Sequence, residues 1–319
     1  MDAFDPRYRM TEAIHQGMRA IERADHDLAR LAPSRGSLLQ RMRRGALARN
    51  AFATATIEGN PLTMPEVESL LRAGPSPARA NSKDELEILN YVEFMERPEA
   101  RKAPREPADV LRVHAALFRH VFKDAGAWKT RANFIGKRPG MSVVFVPTSP
   151  ERVERELAAA IDWLHDARDH PPLVRALLFH HEFESIHPFR DGNGRAGRAI
   201  TPMALHELGY EGSAFAQIDY QIYRRRAEYY ESLAAVERAQ FEDHTPWLEF
   251  MVSVVARAYG DAVELARFER ALPEELTERQ RRVADWFAVL EQESPEARVK
   301  FNDVHQAFPE VPARTLKRD

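Results

Sequence analysis

Apolar residues recur at helical spacing along most of the chain. Between residues 8 and 31, Ile14, Met18, Ile21 and Leu28 share one side of an amphipathic pattern, which Pro33-Ser34-Arg35-Gly36 interrupts. A second helix is predicted from Ser37 to about Ile57, through Leu38, Leu39, Met42, Ala46 and Phe52; Gly59-Asn60-Pro61 stops it. Shorter helical patterns span Pro65–Leu71 and Ser82–Met95, the latter with Ser82 as cap and Glu85 three residues on. Further helices are predicted over about Ala108–Phe122, over Glu151–His165, and after Pro171-Pro172, where Leu173, Ala176, Leu177, Phe179 and Phe183 carry the period. Arg195–Leu208 is a helix closed by Gly209, with Pro202 expected to kink it. Ile218–Val236 is another, and Thr245 as N-cap with Pro246 at N1 opens a long one towards Glu269. Strand-like residues gather only between Gly126 and Val146, where Pro139-Gly140 separates Asn133-Phe134-Ile135 from Met141-Ser142-Val143-Val144-Phe145-Val146.

The pattern therefore predicts an all-α helical bundle with one small β-hairpin. Ala271-Leu272-Pro273 sets off a last unit. One helix begins at Leu276-Thr277-Glu278-Arg279-Gln280 and runs through Val283, Trp286, Phe287 and Leu290; a second spans Phe301–Phe308, and Pro309-Glu310-Val311-Pro312 turns into a third. This unit resembles a winged helix-turn-helix whose third helix has just begun. The stop at Asp319 suggests a shortened chain or an end that lacks the wing. Arg314, Lys317 and Arg318 could meet phosphates of duplex DNA. Without a wing, DNA is the weaker option beside protein docking or a merely structural role.

Composition narrows the classes. Ala, Leu, Glu and Arg favour helix, and a length of 319 residues suits two or three domains or one large core with appendages. A net charge of −3 provides no global field towards nucleic acid. The absence of cysteine removes disulfides, thiolate metal sites and a cysteine nucleophile. No apolar run approaches the ~20 residues needed to span a membrane. Met1-Asp2-Ala3-Phe4-Asp5-Pro6 does not read as a signal peptide. A cytoplasmic protein with no membrane partner is the expectation. His180-His181-Glu182-Phe183-Glu184 lacks the second histidine of an H-E-x-x-H zinc site, and core hydrogen bonds are the better use of that pair.

Chemistry concentrates in His187-Pro188-Phe189-Arg190-Asp191-Gly192-Asn193-Gly194-Arg195-Ala196-Gly197-Arg198. Gly192 and Gly194 allow a sharp turn and close approach to a ligand. The helix that starts there offers free N–H groups and a positive dipole end to an anion. Arg195 and Arg198, three apart, can grip phosphate oxygens with planar forks of donors. Asp191 adds a hard oxygen ligand where Mg²⁺ would sit, and His187 stands before the loop as the natural general base. Upstream, Glu58 lies in the last turn of a helix, where the dipole disfavours an anion. It is either a solvated helix end or the partner of a cation.

The twelve residues match every specified position of the Fic motif, HxFx(D/E)GNGRxxR, and the chain is identified as resembling Fic proteins over roughly residues 38 to 250. The resemblance implies a Fic-fold bundle that transfers AMP from ATP to a Ser, Thr or Tyr hydroxyl of a target protein, with self-modification as one case. It implies that His187 is the base, Asp191 holds Mg²⁺, and Gly192, Asn193, Gly194, Arg195 and Arg198 bind the phosphates. Thr54-Ala55-Thr56-Ile57-Glu58-Gly59 is similar to the inhibitory motif (S/T)xxxE(G/N) of the class with an N-terminal inhibitory helix. Thr54 and Glu58 share one helix face, and the resemblance implies that Glu58 pairs with Arg198 and obstructs the γ-phosphate. By position, the hairpin corresponds to the flap that docks the target by strand addition, with Ser142, Val143 and Val144 as candidates. Tyr230 is the candidate wall of the nucleoside pocket; an aromatic core stripe is the alternative for Tyr220, Tyr223, Tyr229 and Tyr230. Some relatives carry an Asn where this chain has Glu237.

The expected organisation is an N-terminal helical region over 1–103 with the inhibitory helix at about 37–58, a catalytic core over 104–268, and the helix-turn-helix-like unit over 272–319. ATP and Mg²⁺ are the expected cofactors. Removal of AMP, transfer of another phosphate-containing group, and a nucleotide-sensing DNA-binding regulator stay open as alternatives, as does a homodimer.

Overall fold

The computed structural model describes residues 4–31, 36–72, 74–133, 135–136, 143–238, 243–272, 276–293, 298–309 and 311–317. Its helices are α1 (Glu12–Leu31), α2 (Gly36–Ile57), α3 (Met64–Arg72), α4 (Lys83–Glu96), α5 (Pro107–Leu117), α6 (Val153–Asp166), α7 (Pro172–Ile186), α8 (Asn193–Glu207), α9 (Ile218–Arg224), α10 (Arg226–Arg238), α11 (Thr245–Ala271), α12 (Glu278–Glu293), α13 (Phe301–Ala307) and α14 (Ala313–Leu316). Two short strands, β1 (Ile135–Gly136) and β2 (Val143–Phe145), pair antiparallel with Ile135 opposite Phe145. The fold is the expected all-α bundle.

Helices α7 and α8 form its centre. Both are buried nearly all round, and α6 and α11 flank α7 while α2 and α5 flank α8. Burial on every side explains why α7 carries little polar surface and why its polar residues, Arg175, His180, His181 and Glu184, are themselves buried. The outer helices are amphipathic. Ile14, Ile21 and Leu28, seven apart on α1, are fully buried, and α1 packs along α11. Trp247 of α11 is fully buried, and its indole N–H donates to the Leu177 carbonyl at 2.8 Å, tying α11 to α7. One contiguous apolar core runs from Ile14 to Ala266. Val283, Val304, Phe308, Val311 and Leu316 form a second, small core within α12–α14.

Several local expectations change. Helix α1 starts at Glu12 rather than near residue 8, because the preceding segment is extended: Arg7 bridges Asp243 in parallel, the His244 N–H donates to the Arg7 carbonyl at 2.8 Å, and the Arg9 N–H donates to Thr245 Oγ1 at 2.9 Å. Thr245 accordingly does not cap α11. His244 holds the N-cap position, and the Thr245 hydroxyl donates to Asp243 Oδ1 at 2.5 Å. The α5 pattern stops at Leu117, ahead of a left-handed His120 (φ 63°). The single helix expected over Ile218–Val236 is two, broken at Arg225, whose N–H is shared between the carbonyls of Gln221 and Ile222. Helix α8 continues through Pro202. The Ser82 cap is present, accepting from the Glu85 N–H at 3.1 Å.

Candidate active site

The loop between α7 and α8 holds the twelve-residue motif, and local chemistry fixes its shape. Helix α7 ends at His187 in a left-handed conformation (φ 50°), with its N–H bonded to the Phe183 carbonyl at 3.0 Å. Helix α8 begins after Gly192, also left-handed (φ 81°), where only glycine is unstrained. Between these turns Asn193 staples the loop: its Oδ1 accepts from the Phe189 N–H at 2.8 Å and its Nδ2 donates to the Phe189 carbonyl at 2.9 Å. The Asn193 side chain is thereby committed to the loop, and its main-chain N–H is what it can offer a ligand. Among the described residues, the N–H groups of Asn193, Gly194 and Arg195, the first three of α8, have no protein acceptor.

His187 is held in one tautomer. The Glu184 carbonyl lies 3.2 Å from its Nδ1 and can only accept, so Nδ1 carries the proton and Nε2 keeps its lone pair. Burial, with help from the nearby Lys129 ammonium, lowers its pKa to about 4, so the imidazole is neutral at pH 7. Two residues outside the motif hold this geometry. Lys129 donates its Nζ to the Ile186 carbonyl at 3.0 Å and its N–H to the Pro188 carbonyl at 2.9 Å, bracketing His187 on both sides. His114 stacks on Phe189 with ring centres 3.7 Å apart. Its Nδ1 accepts from the Gly126 N–H at 2.9 Å, so Nε2 carries the proton and donates to the Asp191 carbonyl at 3.0 Å. Burial lowers its pKa to about 4 as well.

Asp191 points outward, with 62% of its side chain exposed; Oδ1 accepts from the Gly192 N–H at 2.6 Å and from Arg195 Nη2 at 3.4 Å. The two motif arginines diverge. Arg195 pairs with Glu87 of α4 at 2.7 Å and lies over the Phe118 ring. Arg198, only 1% exposed, faces α2. Its Nε donates to Thr54 Oγ1 at 2.9 Å, and its Nη2 to the Thr54 carbonyl at 3.2 Å and to Glu58 Oε1 at 2.7 Å. The partner of Glu58 is thus a cation rather than solvent. The Glu58 carboxylate sits so close to Gly194 that a Cβ there would come within 2.5 Å of Oε1. Burial opposes ionisation of Glu58, but the Arg198 charge and hydrogen bond, then Arg195 and His187, outweigh it and hold its pKa below the usual value.

Two buried acids behind Arg198 were not singled out from the sequence. Burial raises Glu184 and Asp219 each to about 7, partly countered by Arg198; Tyr91 donates to Asp219 at 3.1 Å. Glu184 Oε1 is buried without a partner among the described residues. No short-range pattern marks these groups, because α7 and α9 bring them together. His180 is engaged in core hydrogen bonds. Thr201 donates to the Gly197 carbonyl at 2.9 Å and so accepts from His180 Nδ1 at 2.5 Å, and the other ring nitrogen accepts from the Tyr229 hydroxyl at 2.9 Å. Tyr229 is a core residue, whereas the neighbouring Tyr230 is 47% exposed and packs edge-on against it. Of the flap candidates, Val143 and Val144 fall in β2, and Ser142 lies outside the described residues.

Comparison with known proteins agrees with this geometry. The Fic/DOC family matches residues 104–205, which include His187 and both motif arginines. Protein adenylyltransferase fic-1 of Caenorhabditis elegans is 27% identical over 269 residues, covering 78% of this chain and 49% of that protein. Its namesake in Caenorhabditis briggsae is 26% identical over 253 residues, covering 76% of this chain and 45% of that protein. The chain thus spans about half the length of these curated relatives. A Fic family protein from Desulfovibrio desulfuricans G20 superposes with a TM-score of 0.70 at 25% identity, covering 99% of this chain and 89% of that one. Motif, family match and fold together show a Fic domain in this chain, over the matched residues 104–205.

Proposed function

We propose that this chain is a protein adenylyltransferase that moves AMP from ATP to a Ser, Thr or Tyr hydroxyl of a protein, and that Glu58 holds it in a resting state. The observation that carries the proposal is the loop itself. A neutral His187 with a bare Nε2 stands at the mouth of three unpaired N–H groups, and Arg198 is held by an acid from another helix. His187 Nε2 takes the proton of the acceptor hydroxyl, whose oxygen attacks the α-phosphorus; the bond to the bridging oxygen breaks and pyrophosphate leaves. The N–H groups of residues 193–195, with Arg195 and Arg198, receive the charge of the phosphates.

Mg²⁺ fits the donor set, because Asp191 offers an exposed carboxylate beside the anion site. Bound there with the phosphates, it would neutralise their charge. Tyr230, exposed near the site, supports a stacking role towards the base, and the β1–β2 pair supports docking of a target segment by strand addition.

In the resting arrangement Glu58 occupies Arg198 and crowds Gly194, so a triphosphate meets an anion where its terminal charge belongs. Intact-mass spectrometry after incubation with Mg²⁺ and ATP tests this. Glu58→Gly should gain the mass of one or more adenylyl groups while the wild type gains little, and His187→Ala in the Glu58→Gly background should gain none. A His187→Ala variant that still carries the label would remove the assigned base. No label on Glu58→Gly, alone or with candidate targets, would remove the transferase. The carboxylate beside Gly194 also supports hydrolytic removal of AMP, in which Glu58 orients a water whose oxygen attacks the phosphorus, the bond to the protein oxygen breaks, and AMP and the free hydroxyl are released. Release of AMP from a pre-AMPylated protein by the wild type, and not by Glu58→Gly, would show it.

A further inference from the structure

A cavity of about 240 Å³, lined by none of the twelve motif residues, lies where α1, α2, α4 and α8 converge with the 3-10 turns at Pro98–Arg101 and Glu211–Ala214. Its floor is apolar, with Leu47 and Met95 among its residues. Its rim carries Arg43 of α2, Arg101 and His206 of α8. Three arginines on α2 and α8 are paired with acids: Arg41 with Glu269 at 2.9 Å, Arg195 with Glu87, Arg198 with Glu58. Among the described residues, neither Arg43 nor Arg101 has a carboxylate within ion-pair distance. Both line the same cavity, and Arg43 is lowered from its usual pKa first by burial and then by the charge of Arg101. Glu96 and Glu211 temper this field without closing on either guanidinium. Asn50 also lines the cavity: its Nδ2 donates to the Ala216 carbonyl at 3.0 Å, and its Oδ1 is buried without a partner among the described residues.

Two unpaired planar cations over an apolar floor, with a spare acceptor beside them, make a recognition pattern. We infer that this cavity binds a small organic anion, a carboxylate or phosphate monoester on an apolar or planar body, seated between Arg43 and Arg101. The site is built on the two helices that carry the Glu58–Arg198 contact. Asn50 precedes Glu58 by eight residues and His206 follows Arg198 by eight, about 12 Å along each helix. An occupant would therefore meet both of the helices that carry that contact, about 12 Å from it along each.

The test is titration of the full chain, labelled at its methionine methyl groups, with phenyl phosphate, benzoate and inorganic phosphate, followed by NMR. Phenyl phosphate or benzoate should shift the Met95 methyl signal saturably, with a Kd of about 1 mM or tighter. Which of the two binds more tightly separates a phosphate ester from a carboxylate. The double substitution Arg43→Gln and Arg101→Gln should weaken that binding about tenfold or more, because each guanidinium contributes a charge-assisted contact. A thermal melt of this variant close to wild type shows that the change is local. Three outcomes overturn the inference: no Met95 shift with either organic probe up to ~10 mM, an equal shift in the double variant, or inorganic phosphate acting as strongly as both, which would leave the apolar floor without a role.

Discussion

At the scale of single residues, the working state of the site follows from desolvation. His187 is neutral at pH 7 because burial lowers its pKa to about 4. If it is the base, the Glu58→Gly variant, which also loses the carboxylate that raises this pKa, should complete its rise in transfer at or below about pH 4 to 5 and stay level through neutrality. A pH–rate profile checks this, and a limb centred near the ordinary histidine value of about 6.5 would contradict it. Lys129 is the other residue with an outsized reach, since its ammonium fixes the Ile186 carbonyl one position before the base. Lys129→Met should leave that carbonyl without its donor and cost about 1–3 kcal/mol in urea unfolding, with the slope of the transition unchanged. Arg198 is less exposed to damage. Removing Glu58 does not strand its charge, because Thr54, Glu184 and Asp219 surround it. The activated variant is therefore expected to fold.

At the scale of elements, the contact between α2 and Arg198 has two parts, so the proposed inhibition should be graded. Helix α2 reaches Arg198 through both Thr54 and Glu58, four residues apart on one face. Thr54→Val keeps the shape and removes one acceptor, so its self-labelling by mass spectrometry should fall between wild type and Glu58→Gly. This face was legible in the sequence, as were the turns at Gly192 and Gly59 and most helix cores, because each depends on near neighbours. Elements shaped by distant partners were not. The stretch before Glu12 looks helical by period but is extended, since it runs beside Asp243 and Thr245. The break at Arg225 has no Gly or Pro; there the Arg225 side chain reaches across to Ser253 of α11 and to Glu228. His114 and Lys129 lie more than fifty residues from the loop they support, and nothing in their local sequence announces it.

At the scale of the whole molecule, the N-terminal helices share their apolar core with the motif helices, whereas α12–α14 keep a small core of their own. A chain ending at Leu272 should therefore melt within a few degrees of the full chain, and its Glu58→Gly form should keep self-labelling. A large loss of Tm would show that the last unit braces α11. The shared core also means that α2 cannot leave the bundle as a body, so relief of Arg198 must come from the end of that helix. Glu58 sits one residue beyond the last helical position, Ile57, in a turn closed by the Glu58 and Asn60 N–H groups on the Ala55 carbonyl and by Gly59 on Thr56. Under the proposed autoinhibition, the resting state is then a fraying equilibrium rather than a locked door. If that turn opens at a cost of about 2 kcal/mol, within the range of local openings, roughly 3 per cent of molecules are unlatched at any moment. Such a protein has a basal leak written into one helical end, and a target or ligand that captures the frayed form sets how far the leak becomes a signal.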